Sequence, residues 1–253
     1  RSTNPVYQNC RVSGNSSDHL AGGTYDGVDS TWINCLISGN RTKSSGGASR
    51  ASGCSPTFIN CTFSGNLAED RGSAIHLEES AAIFSNCIIW NNAATPNTGS
   101  TLWIENPLPD AKPEFKNCVV EQSGGSGENW NSELGIDGGD NIDADPAFAR
   151  PTTPLTTPNS GGDWTPCGAA IRDAGSTSEI PADSLDLDGD GDTTELIPLD
   201  LAGNPRVLGD APDPGAIEGF GPTVRSPVAP LRFRPNFEGV ITLATMSDVF
   251  SED

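Results

Sequence analysis

Pro56-Thr57-Phe58-Ile59-Asn60-Cys61-Thr62-Phe63-Ser64-Gly65-Asn66 is one copy of an eleven-residue phrase that recurs through the first half of the chain. In register, the copies form columns. An aromatic column holds Tyr7, Trp32, Phe58, Phe84 and Phe115. Two positions on come a uniform asparagine column, Asn9, Asn34, Asn60, Asn86 and Asn117, and a uniform cysteine column, Cys10, Cys35, Cys61, Cys87 and Cys118. An apolar column follows (Val12, Ile37, Phe63, Ile89, Val120), and the phrase closes on Gly14-Asn15, Gly39-Asn40, Gly65-Asn66 and Asn91-Asn92. The cysteines lie 25, 26, 26 and 31 residues apart.

A period of this length marks a solenoid, in which one coil cannot bury its apolar face alone and is stabilised by its neighbours. Leucine-rich spacing, helical periodicity and the glycine-paired calcium repeat are all absent from these columns. Cys61-Thr62-Phe63 alternates in, out, in, as a strand does. Asn60 therefore falls at a corner between two short strands, where asparagine tolerates left-handed dihedrals and its amide can bond the backbone or the next coil's asparagine. Gly65-Asn66 makes the next corner by the same chemistry. Coils stacked at the roughly 4.8 Å spacing of paired strands put like residues over like.

The pattern resembles the right-handed parallel β-helix, an all-β solenoid. More narrowly, it is similar to secreted bacterial β-helix proteins whose coils carry Phe-x-Asn-Cys-x-Phe-x-x-Asn, related to the repeats of polymorphic outer-membrane proteins. The resemblance covers about Asn4 to Gln122. It implies the architecture and leaves the activity open, because that scaffold carries lyases, hydrolases, adhesins and passive surface proteins alike.

With 14 basic against 34 acidic side chains, the net charge of −20 argues against nucleic acid or an anionic membrane as partner. No apolar run approaches the ~20 residues needed to span a bilayer, so membrane insertion is not expected. The chain opens on arginine, which reads as a processed or truncated product of a secreted, extracellular or cell-surface protein. Five of its seven cysteines occupy one interior column and are expected to stay as buried thiols. Cys54 and Cys167 are left over, and nothing in the sequence brings their backbones together.

Three regions follow: coils over 1–122, an acidic, loop-rich capping segment over 123–222, and a strand-like tail over 223–253. The long last interval implies an extruded loop over Ala93 to Ala111, with Pro96, Pro107 and Pro109 and with Trp103 either packing back or meeting a ligand. His19 and His76 fall in variable parts of the coils and read as ordinary surface or packing residues. Ser123-Gly124-Gly125-Ser126-Gly127 reads as a flexible joint. Beyond it, Asp145-Pro146-Ala147-Phe148, Gly168 to Gly175, Asp200 to Arg206 and Pro214 to Glu218 resemble the ending segment of the same secreted family. The resemblance implies that this segment closes the C-terminal end of the helix.

The sharpest site signal is Asp186-Leu187-Asp188-Gly189-Asp190-Gly191-Asp192. Alternate carboxylates on a glycine-bent loop converge oxygens on one point, which suits calcium. The spacing matches positions 1, 3, 5 and 6 of the helix-loop-helix calcium loop, but its twelfth position is Ile197. The expected ligands are therefore Asp186, Asp188, Asp190, Asp192 and Glu195, with Asp200 a substitute. A second acidic group, Asp137, Asp140, Asp143 and Asp145, could supply paired carboxylates for glycoside hydrolysis, but turn formation is the simpler reading. No Lys or Arg recurs beside an acidic cluster in the coils, as a lyase would need, and no nucleophile triad, phosphate loop or paired-cysteine motif occurs. No catalytic residue is assigned. Glycosylation sequons occur at Asn15, Asn40 and Asn60, and the Thr/Pro tract from Pro151 to Pro158 is a further candidate for attached sugar.

These readings favour a non-enzymatic structural protein of the cell surface or extracellular matrix, calcium-stabilised and self-associating into filaments through an exposed helix end and the C-terminal strands. The alternatives are a carbohydrate-active lyase or hydrolase and a glycan-binding adhesin.

Overall fold

The computed structural model describes residues 4–95, 101–107 and 112–219. The tail over 223–253, and Pro96 and Pro109 of the expected extruded loop, lie outside the described residues.

The strands are two to four residues long and every named pairing between them is parallel, so each of the first four turns of chain lays one rung on each of four sheets. Sheet A stacks Val6–Gln8, Thr31–Ile33, Thr57–Ile59, Ile83–Ser85, Glu114–Lys116 and Ile136–Asp137. Sheet B stacks Arg11–Ser13, Leu36–Ser38, Thr62–Ser64, Ile88–Trp90 and Val119–Val120. Sheet C stacks Ser16–Ser17, Arg41–Thr42, Leu67–Ala68 and Ala93–Ala94, and sheet D stacks Thr24–Asp26, Ser49–Ser52, Ile75–Glu78 and Leu102–Glu105. Register is in phase with the repeat: Trp32 pairs with Phe58, and Ile37 with Phe63. The chain is a right-handed parallel β-helix, as its columns predict.

The interior is built from those columns. Tyr7, Trp32, Phe58, Phe84 and Phe115 stack with ring centroids 4.1, 6.5, 5.1 and 4.7 Å apart. Beside them Cys35, Cys61, Cys87 and Cys118 are sealed from solvent, with Cys10 partly buried. Each buried thiol donates to carbonyls of its own coil and of the preceding one, Cys61 Sγ lying 3.3 Å from Ile59 O and 3.4 Å from Trp32 O. No disulfide joins Cys54 to Cys167; the first is buried and the second exposed.

The two asparagine columns divide the work. Asn9, Asn34, Asn60, Asn86 and Asn117 all take φ of 50 to 52°, the left-handed corner that turns sheet A into sheet B. Their amides do not form a ladder with one another: Asn34 Nδ2 donates to Leu199 O at 2.9 Å and Asn86 Nδ2 to Ser176 O at 2.9 Å. The ladder runs instead through the second column. Asn15 Nδ2 donates to Asn40 Oδ1, Asn40 Nδ2 to Asn66 Oδ1 and Asn66 Nδ2 to Asn92 Oδ1, at 3.0, 3.0 and 2.9 Å. The reason is geometric: a left-handed corner points its side chain away from the core, whereas the residue after the glycine corner turns inward.

The coils continue past residue 122, since Ile136–Asp137 forms the sixth rung of sheet A. Residues 123–127 are not a flexible joint. Asp137 takes hydrogen bonds from Ser126 Oγ and Gly127 N–H, and Asp143 from Gly124 N–H, at 2.7, 2.8 and 2.9 Å. Trp130, 5.7 Å from Phe115 between centroids, and buried Leu134 close this end of the aromatic stack.

The segment expected to close the C-terminal end instead runs back along the flank of the coils from residue 143. Asn159 N–H donates to Gly39 O, Asn91 Nδ2 to Thr152 O and Ala216 N–H to Thr62 Oγ1. Gly14, Gly39 and Gly65 lie so close to Ser160, Asn159 and Trp164 that a Cβ on any of them would collide. The outward side chains of sheet B, Leu36, Ile88 and Val119, thereby acquire a second apolar core with Phe148, Trp164, Ile171, Ala216 and Ile217. Apolar residues on both faces of sheet B require such a cover.

Candidate functional site

Sheet B and part of sheet A are covered by the flank; sheet D carries chemistry on its outer face. Along its strands, Ile75 and Leu77 point into the core, so His76 and Glu78 point out. Parallel register then builds two outward columns. Tyr25, Arg50, His76 and Trp103 form one, and Ser52, Glu78 and Glu105 the other. The residues stand 25, 26 and 27 positions apart, which is the coil period itself.

These side chains are tied to one another. Arg50 Nη2 and Ser52 Oγ both donate to Glu78 Oε2 at 2.8 Å, and His76 Nε2 lies 2.9 Å from Glu105 Oε2. The Arg71 guanidinium sits 4.5 Å over the Trp103 ring, a cation–π contact. The hydrogen bonds from Arg50 and Ser52 hold the Glu78 carboxyl below its ordinary value. Burial, aided by the Arg50 charge, holds the His76 imidazole below its own, against the pull of Glu105. His76 is 2% exposed, so its neighbours hide it from any ligand, whereas Tyr25 is 51% exposed.

Trp103 also lines a depression of about 470 Å³ with Pro107, Lys112, Asn131, Ser132 and Glu133. Aromatic and aliphatic walls with a few polar groups, in a concavity of this size, are the usual make-up of a small-ligand site. Trp103 thus belongs to the fourth rung of sheet D and not to an extruded loop. Arg50 likewise stands beside Glu78 and His76, so a basic residue does accompany acidic groups in the coils. The sequence reading missed both because it aligned only the invariant columns; the coil period at positions 25, 50, 76 and 103 was the available signal.

The acidic loop over 183–195 gathers two overlapping triads, in each of which one carboxylate oxygen per residue lies within 4.8 Å of the others: Asp183, Asp188 and Glu195, and Asp186, Asp188 and Asp190. Asp183 was not among the expected ligands. Asp192, which was, turns back on its own loop, its Oδ1 accepting from Thr194 N–H and Oγ1 at 2.8 and 2.7 Å. Asp200 is engaged elsewhere, its Oδ1 accepting from Ala202 and Asn204 N–H, both at 2.8 Å.

The second acidic group forms turns. Asp143 accepts from Gln122 and Gly124 N–H, and Asp145 from Ala147 N–H. Burial alone would raise the Asp137 carboxyl, but hydrogen bonds from Gly127, Ser126, Asn141 and Gly139 outweigh it and the net shift is downward.

Among the described residues no helix is long and apolar enough to cross a membrane. No curated protein and no solved structure matches the chain. A family model described as the right handed beta helix region matches residues 1–138, just over half of the sequence. That family includes both structural and carbohydrate-active proteins. Stacked parallel rungs over this stretch and the family match over the same residues agree, and the chain belongs to the right-handed β-helix family.

Proposed function

We propose that the chain is a non-enzymatic, extracellular or cell-surface β-helix scaffold that holds a neutral glycan on the outer face of sheet D. The observation that carries this reading is the Tyr25–Arg50–His76–Trp103 column running beside Ser52, Glu78 and Glu105 and ending at the depression under Trp103. Successive rungs lie about 4.8 Å apart, so the exposed Tyr25 ring can lie under one sugar while the carboxylates and guanidinium beyond it meet hydroxyls, and Trp103, one face of which is covered by Arg71, walls the far end. Tyr and Trp supply such platforms because one end of the ring is apolar and the other wet.

Two features favour binding over turnover. The imidazole of His76 is sealed, and Glu78 is pinned as an ionised acceptor by Arg50 and Ser52, which removes it as a proton donor. A net charge of −20 repels acidic polysaccharide, the substrate class of lyases, and leaves neutral chains as the compatible ligand.

The test is affinity electrophoresis or calorimetry of the full chain against neutral and acidic polysaccharides, with the products assayed for new ends. Retention by neutral glycan without release of sugar, weakened about tenfold or more in Trp103→Ala and Tyr25→Ala, is the expected result. Release of reducing or unsaturated ends would replace this reading with an enzyme, and indifference to every glycan would remove it.

A further inference from the structure

The loop Asp183 to Glu195 carries six carboxylates (Asp183, Asp186, Asp188, Asp190, Asp192, Glu195) and no Lys or Arg. Among the described residues no ion pair reaches it either. Like charges so placed repel, yet the loop is closed by specific bonds. Asp183 N–H donates to Glu195 O at 2.8 Å, Ile197 N–H to Pro181 O at 3.0 Å and Gly191 N–H to Asp186 Oδ1 at 3.1 Å. Gly189 and Gly191, at φ of 78 and 90°, bend the chain so that Asp186, Asp188 and Asp190 face one another.

An independent observation points to a missing partner. Asp183 is fully buried; its Oδ2 accepts from Leu187 N–H at 2.6 Å, but its Oδ1 has no hydrogen-bond partner and neither does the buried Oε1 of Glu195. A buried carboxylate oxygen without a donor costs free energy unless a cation or water meets it. Both residues converge with Asp188.

We propose that Asp183, Asp188 and Glu195 hold one calcium ion, with Asp186 and Asp190 on its open side and waters or loop carbonyls completing the shell. Oxygen-only donors exclude the thiolate and imidazole sites of zinc and copper. An irregular, multi-carboxylate cage on a glycine-bent loop suits calcium at 2.3 to 2.6 Å better than the tight octahedron magnesium demands. The ion has a structural consequence. Leu187, inside the loop, packs on Ile180, Ile197 and Ile33, the last on the outside of sheet A, so the metal fastens the flank to the second coil.

Calorimetric titration of the chelator-stripped full chain with calcium, repeated with millimolar magnesium present, tests this. One ion per chain is expected, with a rise in melting temperature and slower protease cleavage between 183 and 195. Asp188→Asn, an exposed change that leaves the fold intact, and Asp183→Asn should each weaken binding about tenfold or more, while Asp192→Asn should leave it unchanged. Should Asp183→Asn fail to fold, Asp188→Asn decides. A wild-type chain that binds no calcium, or an Asp188→Asn variant that binds as tightly as wild type, would overturn the assignment.

Discussion

Arg206 and Glu218 form an ion pair in which each side chain is only 1% exposed. Arg206 Nη1 also donates to Gly215 O at 2.9 Å and Nη2 to Asp213 O at 2.8 Å, so one guanidinium ties together the two ends of the last phrase of the flank. Glu218 N–H in turn donates to Asp200 Oδ2 at 2.8 Å. Removing one member of a buried pair strands the other charge, so above the Glu218 value of about 7, where both groups are ionised, Arg206→Ala should cost about 3–5 kcal/mol in chemical denaturation. Replacing both with apolar residues of similar volume should cost far less.

The same pair makes stability depend on pH. Burial raises the Glu218 carboxyl from its ordinary value of 4.5 to about 7, with the Arg206 charge opposing the rise. Between these values the folded chain binds more protons than the unfolded one, so this group's contribution is fully present below 4.5 and is lost as pH rises to about 7. Melting temperature measured across that window should fall less in Glu218→Gln than in wild type.

Docking of the flank can be tested at two glycines. A Cβ at Gly39 would lie 1.8 Å from Asn159 O, whereas one at Gly53 would have nothing within 4 Å; both residues have positive φ, 62 and 65°. Gly53→Ala should therefore cost only the left-handed strain, about 1–2 kcal/mol. Gly39→Ala should add ~1–3 kcal/mol of overpacking and open the flank to protease.

The amide ladder offers a graded series. Asn66 accepts from Asn40 N–H and Nδ2 and donates to Ile37 O, all at 2.9 to 3.0 Å in a fully buried position. Asn66→Ala leaves the Asn40 N–H without its acceptor, at about 1–3 kcal/mol, while Asn40 Nδ2 keeps Val12 O at 2.9 Å. Asn15→Ala, at the exposed end of the column, should cost under about 1 kcal/mol. Urea midpoints of the two variants check the order.

Thiol accessibility reports on the core. Burial pushes the Cys87 thiol well up, and Cys35, Cys61 and Cys118 are equally enclosed. A thiolate is the reactive form, so native alkylation read by mass spectrometry should modify exposed Cys167 and spare these four until denaturant is added.

The invariant columns made the coils legible to the residue. Phe58, Cys61 and Phe63 sit in repeating columns because a stacked interior demands an apolar side chain at the same place in every rung, and the asparagine two residues after each aromatic announced its left-handed corner. The outward ladder of sheet D was harder to see, since an outer face needs no uniform volume and Tyr25, Arg50, His76 and Trp103 share only a period. The acidic loop was visible by composition, but Asp183 lay outside the alternating pattern and only folding brought it to Asp188. The course of the flank was not legible. Its contacts to Gly39, Thr62 and Asn86 are made by backbone groups across separations such as the 154 residues between Thr62 and Ala216, and sequence pattern does not encode those.

That backward course changes how the stack behaves. In an ordinary array each rung feels only its nearest neighbours, so melting can begin at one tip and unzip inward. Here Ser160 abuts Gly14 of the first rung while Glu179 bonds Ser85 and Lys116 of the later ones. Laced across its rungs in this way, the stack is expected to open as one cooperative body and not to fray from a tip, so probes placed in the first and fifth rungs should melt at the same temperature.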